Sequence, residues 1–392
     1  MKKFIVSILA LVCAATFSQA QQLQQLPNDP AVRTGKLDNG LTYYIRHNEL
    51  PAQRAEFWLC TDAGAIQEEL PNQDGLAHFL EHMCFNGTKN FPGKGVLDYL
   101  ERNGVKFGTN VNAYTSIDET VYNISDVPTD ESHPGIIDSC LLILHDWSGF
   151  ISLEDKEIED ERGVIHEEWR SSTSATLRMY DVILPKLYPG NRYADCLPIG
   201  SKAGDDHLAV VDDFKPEELR DYYHKWYRPD LQGIFVVGDV DVDAVEQKIT
   251  ELWSDIHVPD GAPVRIYFPV EDNEEPLVAV ASDPEQQYNL FEVMWKTDPL
   301  PDEMKLTPVG LMQSLMLNIV TTAVDQRLDE LSQKADAPYL QAGVGYSEYV
   351  LSRTKDCLGL SVIFAEGKYE QGINAAMQVL LSAVEYGVTE AE

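Results

Sequence analysis

Residues 76–91, LAHFLEHMCFNGTKNF, place two histidines four positions apart within an apolar stretch, with an acidic residue beside the second. The spacing of the apolar residues predicts a helix that continues to about Asn86. Positions i and i+4 of a helix lie on one face, so His78 and His82 can take two corners of a tetrahedral zinc site. Glu81 projects from a neighbouring part of that face, where it can reach a water activated by the metal without being a ligand. This is the H-E-x-x-H zinc motif written in reverse.

The motif alone also fits two histidines that only form hydrogen bonds within a core, and a third ligand is needed to decide. The candidate segment is EDERGVIHEEWR, residues 159–170. Glu161 and Glu168 are seven positions apart, so two helical turns bring both to one side, and a carboxylate would complete a His₂Glu zinc site. Glu167 points about 100° away on a helix, and the phase of His166, an alternative ligand, puts it nearer the far side.

Length and composition indicate a globular protein of two domains. The chain has 392 residues, 44% of them hydrophobic, and a formal net charge of −34. Such an acidic surface repels nucleic acid and anionic lipid, which excludes them as expected partners. The cysteines that follow the first twenty residues show no C-x-x-C pairing, and they predict no particular disulfide.

The first twenty residues predict export. MKKFIVSILALVCAATFSQA has two lysines, an apolar run and then the small-x-small sequence Ser18-Gln19-Ala20, which is typical of a cleaved secretory signal peptide. The apolar run is shorter than the ~20 residues that a membrane span needs. A lipoprotein anchor at Cys13 is the alternative, and the bulky Val12 before it argues against that. We expect a bacterial protein that is periplasmic or extracellular, with no membrane span after cleavage.

The remaining chain predicts an α+β fold of two structurally similar α/β domains, each a mostly antiparallel sheet packed against helices. Residues 21–258 form the zinc-bearing domain, 259–272 a linker rich in proline and acids, and 273–392 a second domain. The second domain begins with strands predicted at LVAVAS and YNLFEVMWK. It has no histidine, since the last one in the chain is His257, so it cannot repeat the zinc site. The end of the chain at EYGVTEAE resembles the start of a helix, and we expect truncation of a longer chain there.

Three segments carry a resemblance to a known family. AHFLEHMCFNGTKNFP, GTNVNAYTSIDETVYNI and ERGVIHEEWR, in that order, closely resemble the pitrilysin/insulysin family of inverted-motif zinc peptidases, which includes the mitochondrial processing peptidases. The resemblance extends over nearly all the chain that follows the signal peptide. It implies an endopeptidase that hydrolyses unfolded peptides or small proteins with one zinc ion per chain.

Carried over position by position, the resemblance makes His78, His82 and Glu168 the zinc ligands and Glu81 the general base. Glu161 matches the second acidic residue of the downstream motif, which lies behind the ligands and orients a ligating imidazole.

The same resemblance assigns Asn112, Ala113 and Tyr114 to substrate binding, with the peptide added along an exposed strand edge.

The resemblance also implies a fold and a partner. Family members enclose peptides between two similar halves, and this chain resembles the N-terminal half of the clamshell. The far half normally supplies an arginine and a tyrosine that stabilise the tetrahedral intermediate, and no such pair occurs here at its usual short spacing. We therefore expect a partner, either the C-terminal half of the same longer chain or a homologous subunit. The alternative function is a non-catalytic or partner-dependent peptide-binding half of a two-subunit peptidase; the intact motif favours catalysis.

Overall fold

The structure is a computed structural model that describes residues 24–200 and 207–389. The predicted signal peptide lies outside the described residues. The chain divides into two compact units. The larger comprises Asn28–Phe268 together with Glu275–Asp283, and the smaller contains Pro269–Glu274 and the residues from Pro284 onward. The segment Glu275–Asp283, which the sequence assigned to the second domain, thus groups with the first.

Within the described ranges, six strands of the larger unit form one sheet. They are β1 (Val32–Lys36), β2 (Thr42–His47), β3 (Arg54–Thr61), β4 (Val111–Thr115), β5 (Thr120–Pro128) and β6 (Gln232–Gly238). Their order is β1-β2-β6-β3-β5-β4. Only the β2–β6 pairing is parallel, so the sheet is mostly antiparallel, as the sequence predicted. The order leaves β4 at one edge of the sheet.

Strict alternation explains why the central strands form. The sequence of β3, RAEFWLCT, buries every second residue, and β6 does the same. Successive side chains of a strand point to opposite faces, so the alternation commits one face of the sheet to the core. The residues that this alternation buries completely include Phe57, Leu59, Ile234 and Val236.

Helices cover the larger sheet and contribute the rest of its core. They are α1 (Leu76–Met83), α2 (Gly95–Arg102), α3 (Ile136–Gly149), α4 (Asp155–Ser172), α5 (Ala175–Leu187), α6 (Ala209–Asp213), α7 (Pro216–Trp226) and α8 (Val242–Leu252). Helix α3 buries Ile143, Leu144 and Trp147 completely, as its apolar sequence predicts. Helix α1 contacts β4, α4 and α7, so the histidine-bearing segment lies between the edge of the sheet and two helices.

The smaller unit repeats the theme of an antiparallel sheet packed against helices. Its elements are β7 (Asn289–Thr297), α9 (Asp302–Lys305), α10 (Pro308–Ser332), β8 (Gln341–Glu348), β9 (Asp356–Phe364) and α11 (Tyr369–Tyr386). The strand order is β7-β9-β8. Val324, Leu328, Val362 and Ala376 lie in its core, which joins both long helices to the sheet.

One predicted strand is wrong. LVAVAS, residues 277–282, forms no strand, and Val278 and Val280 are 72% and 76% exposed. Its alternation is real, but alternation does not supply a partner strand. The segment is instead tied to the larger unit by Asp283, whose two carboxylate oxygens accept from Arg178 of α5 at 2.6 and 2.7 Å.

Among the described residues, no helix has the length and apolar content that a membrane span requires.

Candidate metal centre

Helix α1 is buried on nearly all sides, which places its polar residues inside the protein. Leu76, Phe79 and Leu80 are fully buried, and His78 and Glu81 are only 9% and 8% exposed. Buried ionisable groups need partners, because an unpaired one loses its hydration without compensation. The partners of these residues therefore define what the site can do.

The two imidazoles converge on one carboxylate of α4. The Nε2 atom of His82 lies 3.0 Å from Oε2 of Glu168, and the Nε2 atom of His78 lies 3.4 Å from Oε1 of the same group. The two ring centroids are 4.8 Å apart. Among the residues that the structure describes, these three form the cluster of His, Cys, Asp or Glu whose donor atoms all lie within 4.8 Å of one another. Two imidazole nitrogens and a carboxylate oxygen are the donor set of a catalytic zinc site.

A second carboxylate lies behind His82. The Nδ1 atom of His82 donates to Oε1 of Glu161 at 2.8 Å, and Glu161 is 7% exposed. A hydrogen bond at Nδ1 commits that nitrogen to Glu161 and directs Nε2, the nitrogen that could bind a metal, toward Glu168. The three residues therefore fit a zinc ion, with Glu161 orienting one of the ligands.

The charges of the cluster also favour a cation. Burial alone would lower the pKa of His82, but hydrogen bonds to Glu161 and Glu168 and the nearby Glu81 outweigh it and raise that pKa to about 9. Hydrogen bonds from His78 and His82 hold the pKa of Glu168 well below its usual range. Burial would raise the pKa of Glu161, yet its hydrogen bonds with His82 and Asn86 lower it overall. The carboxylates thus stabilise positive charge at the point where the imidazoles meet.

Helix α4 presents both of its carboxylates through one face. Ile158, Glu161 and Ile165 are buried, and Glu168 follows one turn later on the same face, with its side chain 39% exposed. The spacing of three, four and three residues is that of a helix face packed on a core. The apolar members hold the helix against the rest of the unit, and the acidic members meet α1.

The remaining candidates of α4 point elsewhere. His166 contacts Oδ1 of Asp212 at 2.6 Å through its Nε2 atom, and Glu167 pairs with Arg170 on the surface. Arg162 donates to the carbonyl of Phe214 at 2.9 Å. The contacts of His166 and Arg162 reach residues outside α4 and fix the rotation of the helix about its axis, so neither His166 nor Glu167 is brought to the cluster.

Glu81 is held from the neighbouring edge strand by a residue that the sequence analysis missed. The Thr115 hydroxyl donates to Oε2 of Glu81 at 2.7 Å, and Thr115 is the last residue of β4. The turn that follows Thr115 is also held in place, because the amides of Ala65 and Ile66 donate to the carbonyls of Ser116 and Ile117 at 3.2 and 2.9 Å. The position of the hydroxyl is therefore set by backbone contacts, independently of Glu81.

The predicted substrate-binding residues lie on that same edge strand. Asn112, Ala113 and Tyr114 are the central residues of β4, which pairs with β5 on one side. On its other side the described residues provide no partner strand. Asn112 is exposed, and Tyr114 is 48% exposed with its hydroxyl donating to Glu119 at 3.1 Å. An open strand edge beside a candidate metal centre is the arrangement that the sequence led us to expect.

Comparison with known proteins decides the family. The family model described as Insulinase (Peptidase family M16) matches residues 43–193, and the model described as Peptidase M16 inactive domain matches residues 213–392. The chain belongs to peptidase family M16. The first of these matches contains His78, His82 and Glu168. The description of the second agrees with the fact that no histidine follows His257.

Individual M16 relatives match most of the chain. The probable zinc protease PqqL of Escherichia coli (strain K12) is 32% identical over 94% of this chain and 38% of its own length. A zinc protease PQQL-like protein of Arabidopsis thaliana is 29% identical over 91% of this chain and 35% of its own. The crystal structure of the first half of the periplasmic protease PqqL from Escherichia coli superposes with a TM-score of 0.78 at 29% identity, covering 94% of this chain and 75% of that one. The chain thus spans little more than a third of the length of these two curated relatives, and its fold is that of an M16 clamshell half.

Proposed function

We propose that this chain is the catalytic half of a zinc-dependent endopeptidase that hydrolyses unfolded peptides or small proteins. The observation that carries the proposal is the convergence of His78, His82 and Glu168, whose donor atoms lie within 4.8 Å of one another, with Glu81 next to His82 in the helix. The names of the Escherichia coli and Arabidopsis relatives, both zinc proteases, support the same activity.

We assign one zinc ion per chain to His78, His82 and Glu168. When bound, zinc in such a set supplies a Lewis acid that polarises the scissile carbonyl and makes a water acidic near neutral pH. The chain's own contribution is to hold the three donors in place before the metal arrives, through the packed face of α4 and the Glu161 hydrogen bond. Pre-organised donors need little rearrangement on binding, which favours affinity.

Glu81 is the general base of the proposed reaction. Its Oε2 atom is held by Thr115, so we assign the proton to Oε1, which takes it from the attacking water and later hands it to the leaving amine. The low exposure of Glu81 keeps bulk water from competing for that proton. Glu81 is one residue from a proposed ligand and on a neighbouring part of the face, so it would lie close to a bound metal without being one of its ligands.

The substrate adds to the open edge of β4. A peptide in extended conformation forms main-chain hydrogen bonds with a strand edge, which gives affinity with little dependence on sequence. Asn112, Ala113 and Tyr114 provide that edge, and Thr115 at its end holds the base. The strand that binds the peptide therefore also fixes the base relative to the scissile bond.

A second half completes the proposed enzyme. The chain spans 38% of the length of Escherichia coli PqqL, and the structure that it matches over 75% of its length is described as a first half. We propose that the C-terminal half of a longer chain, or a homologous subunit, closes over the site and supplies oxyanion donors. Losing one such donor commonly costs about 10²–10³ in rate. We therefore expect the 392-residue chain to bind zinc yet cleave peptides slowly, and a separately produced second half to restore much of the rate. Equal turnover per zinc with and without that half would contradict this.

We also propose that the protein is exported, as the sequence of its first twenty residues predicts. The relative from Escherichia coli is described as periplasmic, which supports the same location.

The decisive experiment is Glu81→Gln, assayed for zinc content and for cleavage of an unstructured fluorogenic peptide with the second half present. The amide can still accept from Thr115, so the fold and the zinc content should be retained while turnover falls by several powers of ten. Retained turnover would overturn the role of Glu81. A wild-type chain that binds zinc and peptide but cleaves nothing would instead favour the peptide-binding half.

A further inference from the structure

The loop between α1 and α2 returns to the back of the metal centre, and the proposed chemistry leaves its side chains unused. Asn86 lies just after α1 and is 4% exposed. Its Nδ2 amide donates to Oε2 of Glu161, and the Nζ ammonium of Lys94, at the far end of the loop, donates to its Oδ1. Because Glu161 accepts from His82 through its other oxygen, the contacts run without a gap from Lys94 to a zinc ligand.

The chemistry of these groups permits only one orientation of the amide. A carboxylate such as Glu161 only accepts hydrogen bonds, and an ammonium such as Lys94 only donates them. The amide of Asn86 can satisfy both neighbours when Nδ2 faces Glu161 and Oδ1 faces Lys94. Glu161 alone already favours this orientation, because its carboxylate and the amide oxygen would repel each other. The ammonium adds a second contact, which holds the amide from its other side. Lys94 therefore restrains Asn86 in its contact with Glu161.

The loop has its own anchor, so the position of Lys94 does not depend on the metal centre. The buried Asp146 of α3 accepts from the Thr88 hydroxyl at 2.7 Å and from the backbone amide of Asn90 at 2.8 Å. Gly87 has φ +128, and a Cβ there would lie 3.0 Å from the nitrogen of Gly93. The close approach of these two glycines folds the loop back on itself, which brings Lys94 over Asn86.

We propose that Asn86 and Lys94 are positioning residues of the metal centre. They hold Glu161 in the orientation that fixes the tautomer and direction of His82, so zinc affinity depends on a lysine that touches no ligand. The inference rests on the proposed zinc site and extends it outward by two residues. Partners behind a metal ligand commonly change affinity by about 10- to 100-fold when removed.

Lys94→Met distinguishes this inference from a simple charge effect, because the two predict opposite changes in zinc affinity. If Lys94 acted only through its charge, its removal would take a cation away from a cation site and tighten zinc binding. If it acts through Asn86, its removal loosens the contact of the amide with Glu161 and weakens zinc binding. Lys94 is an exposed residue, so the variant should fold normally. Lys89→Met is the matched control: it removes the same charge from the same loop, where Lys89 contacts the Phe150 ring at 4.2 Å and no member of the chain of contacts.

The experiment measures the zinc dissociation constant of the 392-residue chain by competition with a chromophoric chelator. We expect Asn86→Ala to weaken binding about 10- to 100-fold and Lys94→Met about 3- to 10-fold, a smaller effect because the lysine is exposed. Lys94→Arg should bind within about 2-fold of wild type, and so should Lys89→Met. With cobalt(II) in place of zinc, the visible absorption of Asn86→Ala should differ from wild type, since it reports ligand geometry, while thermal unfolding of the metal-free variants checks their fold.

Unchanged or tighter zinc binding in Lys94→Met, or equal losses in Lys94→Met and Lys89→Met, would overturn the inference while leaving the proposed function standing. A wild-type chain that binds no zinc would overturn the proposed function, and the inference with it.

Discussion

Thr115→Val tests whether the edge strand positions the base. Valine has nearly the same shape as threonine and is an equally good strand residue, so the change removes the hydroxyl and little else. The hydroxyl donates to Glu81 at 2.7 Å in a site where that carboxylate is 8% exposed. Without it, the carboxylate loses the contact that selects one orientation, and the proposed peptide-binding edge of β4 is left intact.

The strength of that hydrogen bond limits the size of the effect. A hydrogen bond to a charged group contributes about 1.5–3 kcal/mol. The free-energy difference that favours the productive orientation of the Glu81 carboxylate cannot fall by more than this amount. At roughly 1.4 kcal/mol for each tenfold change in rate, we expect kcat to fall about 10- to 150-fold. KM should change less than twofold, because the main-chain contacts along β4 do not involve the hydroxyl.

The assay is steady-state cleavage of an unstructured fluorogenic peptide with the second half present, normalised to bound zinc. Thr115→Ser keeps the hydroxyl and should retain kcat within a few fold. Tyr114→Phe is the neighbouring control, since it removes a hydroxyl that bonds to Glu119 and not to Glu81. A Thr115→Val enzyme with unchanged kcat, or one whose defect lies wholly in KM, would refute the positioning role.

Two further predictions concern the metal and the fold. Glu168→Gln should lose most bound zinc, whereas Glu161→Gln should retain part of it, as metal analysis after dialysis would show; the reverse order would exchange the two assignments. Burial would raise the pKa of Asp146, but its hydrogen bonds with His145, Thr88 and Asn90 lower that pKa overall. The contribution of Asp146 to stability is therefore present above the unfolded pKa of about 3.9, and it is lost as the pH falls through the folded pKa. Asp146→Asn should therefore lower the free energy of unfolding at pH 7 by about 2–4 kcal/mol, and this difference should shrink below about pH 4 in thermal or urea unfolding of the metal-free chain; a difference independent of pH would contradict this.

The parts of the site that sequence could predict are those set by local periodicity. Helical spacing alone puts His78 and His82 on one face, and a separation of seven does the same for Glu161 and Glu168. The strand predicted at YNLFEVMWK likewise forms, as β7. The strand predicted at LVAVAS does not, since a period of two specifies which faces a segment presents and not which strand it pairs with.

Contacts between distant elements were beyond the reach of these rules. Thr115 lies 34 residues from Glu81, and Asn86 lies 75 residues from Glu161. Both contacts exist because of how β4 and α4 pack around α1. No spacing rule within a single element relates such residues, and the family resemblance gave Thr115 no role.

Asn86, which the sequence analysis missed, nevertheless follows the i, i+4 spacing that identified the two candidate histidine ligands. Asn86 is four positions beyond His82, as His82 is four beyond His78, and the chain keeps turning past the end of α1, with the amides of Phe85 and Asn86 donating to the carbonyls of His82 and Met83 at 3.0 and 3.1 Å. The row that begins with the two proposed ligands therefore continues to a third polar side chain on the same side. The first two side chains meet Glu168 and the third meets Glu161, seven residues earlier on α4. The rows on α1 and α4 thus pair the proposed ligands at one end and the proposed positioning groups at the other. The register of α4 against α1 therefore places the candidate metal centre and the groups behind it together.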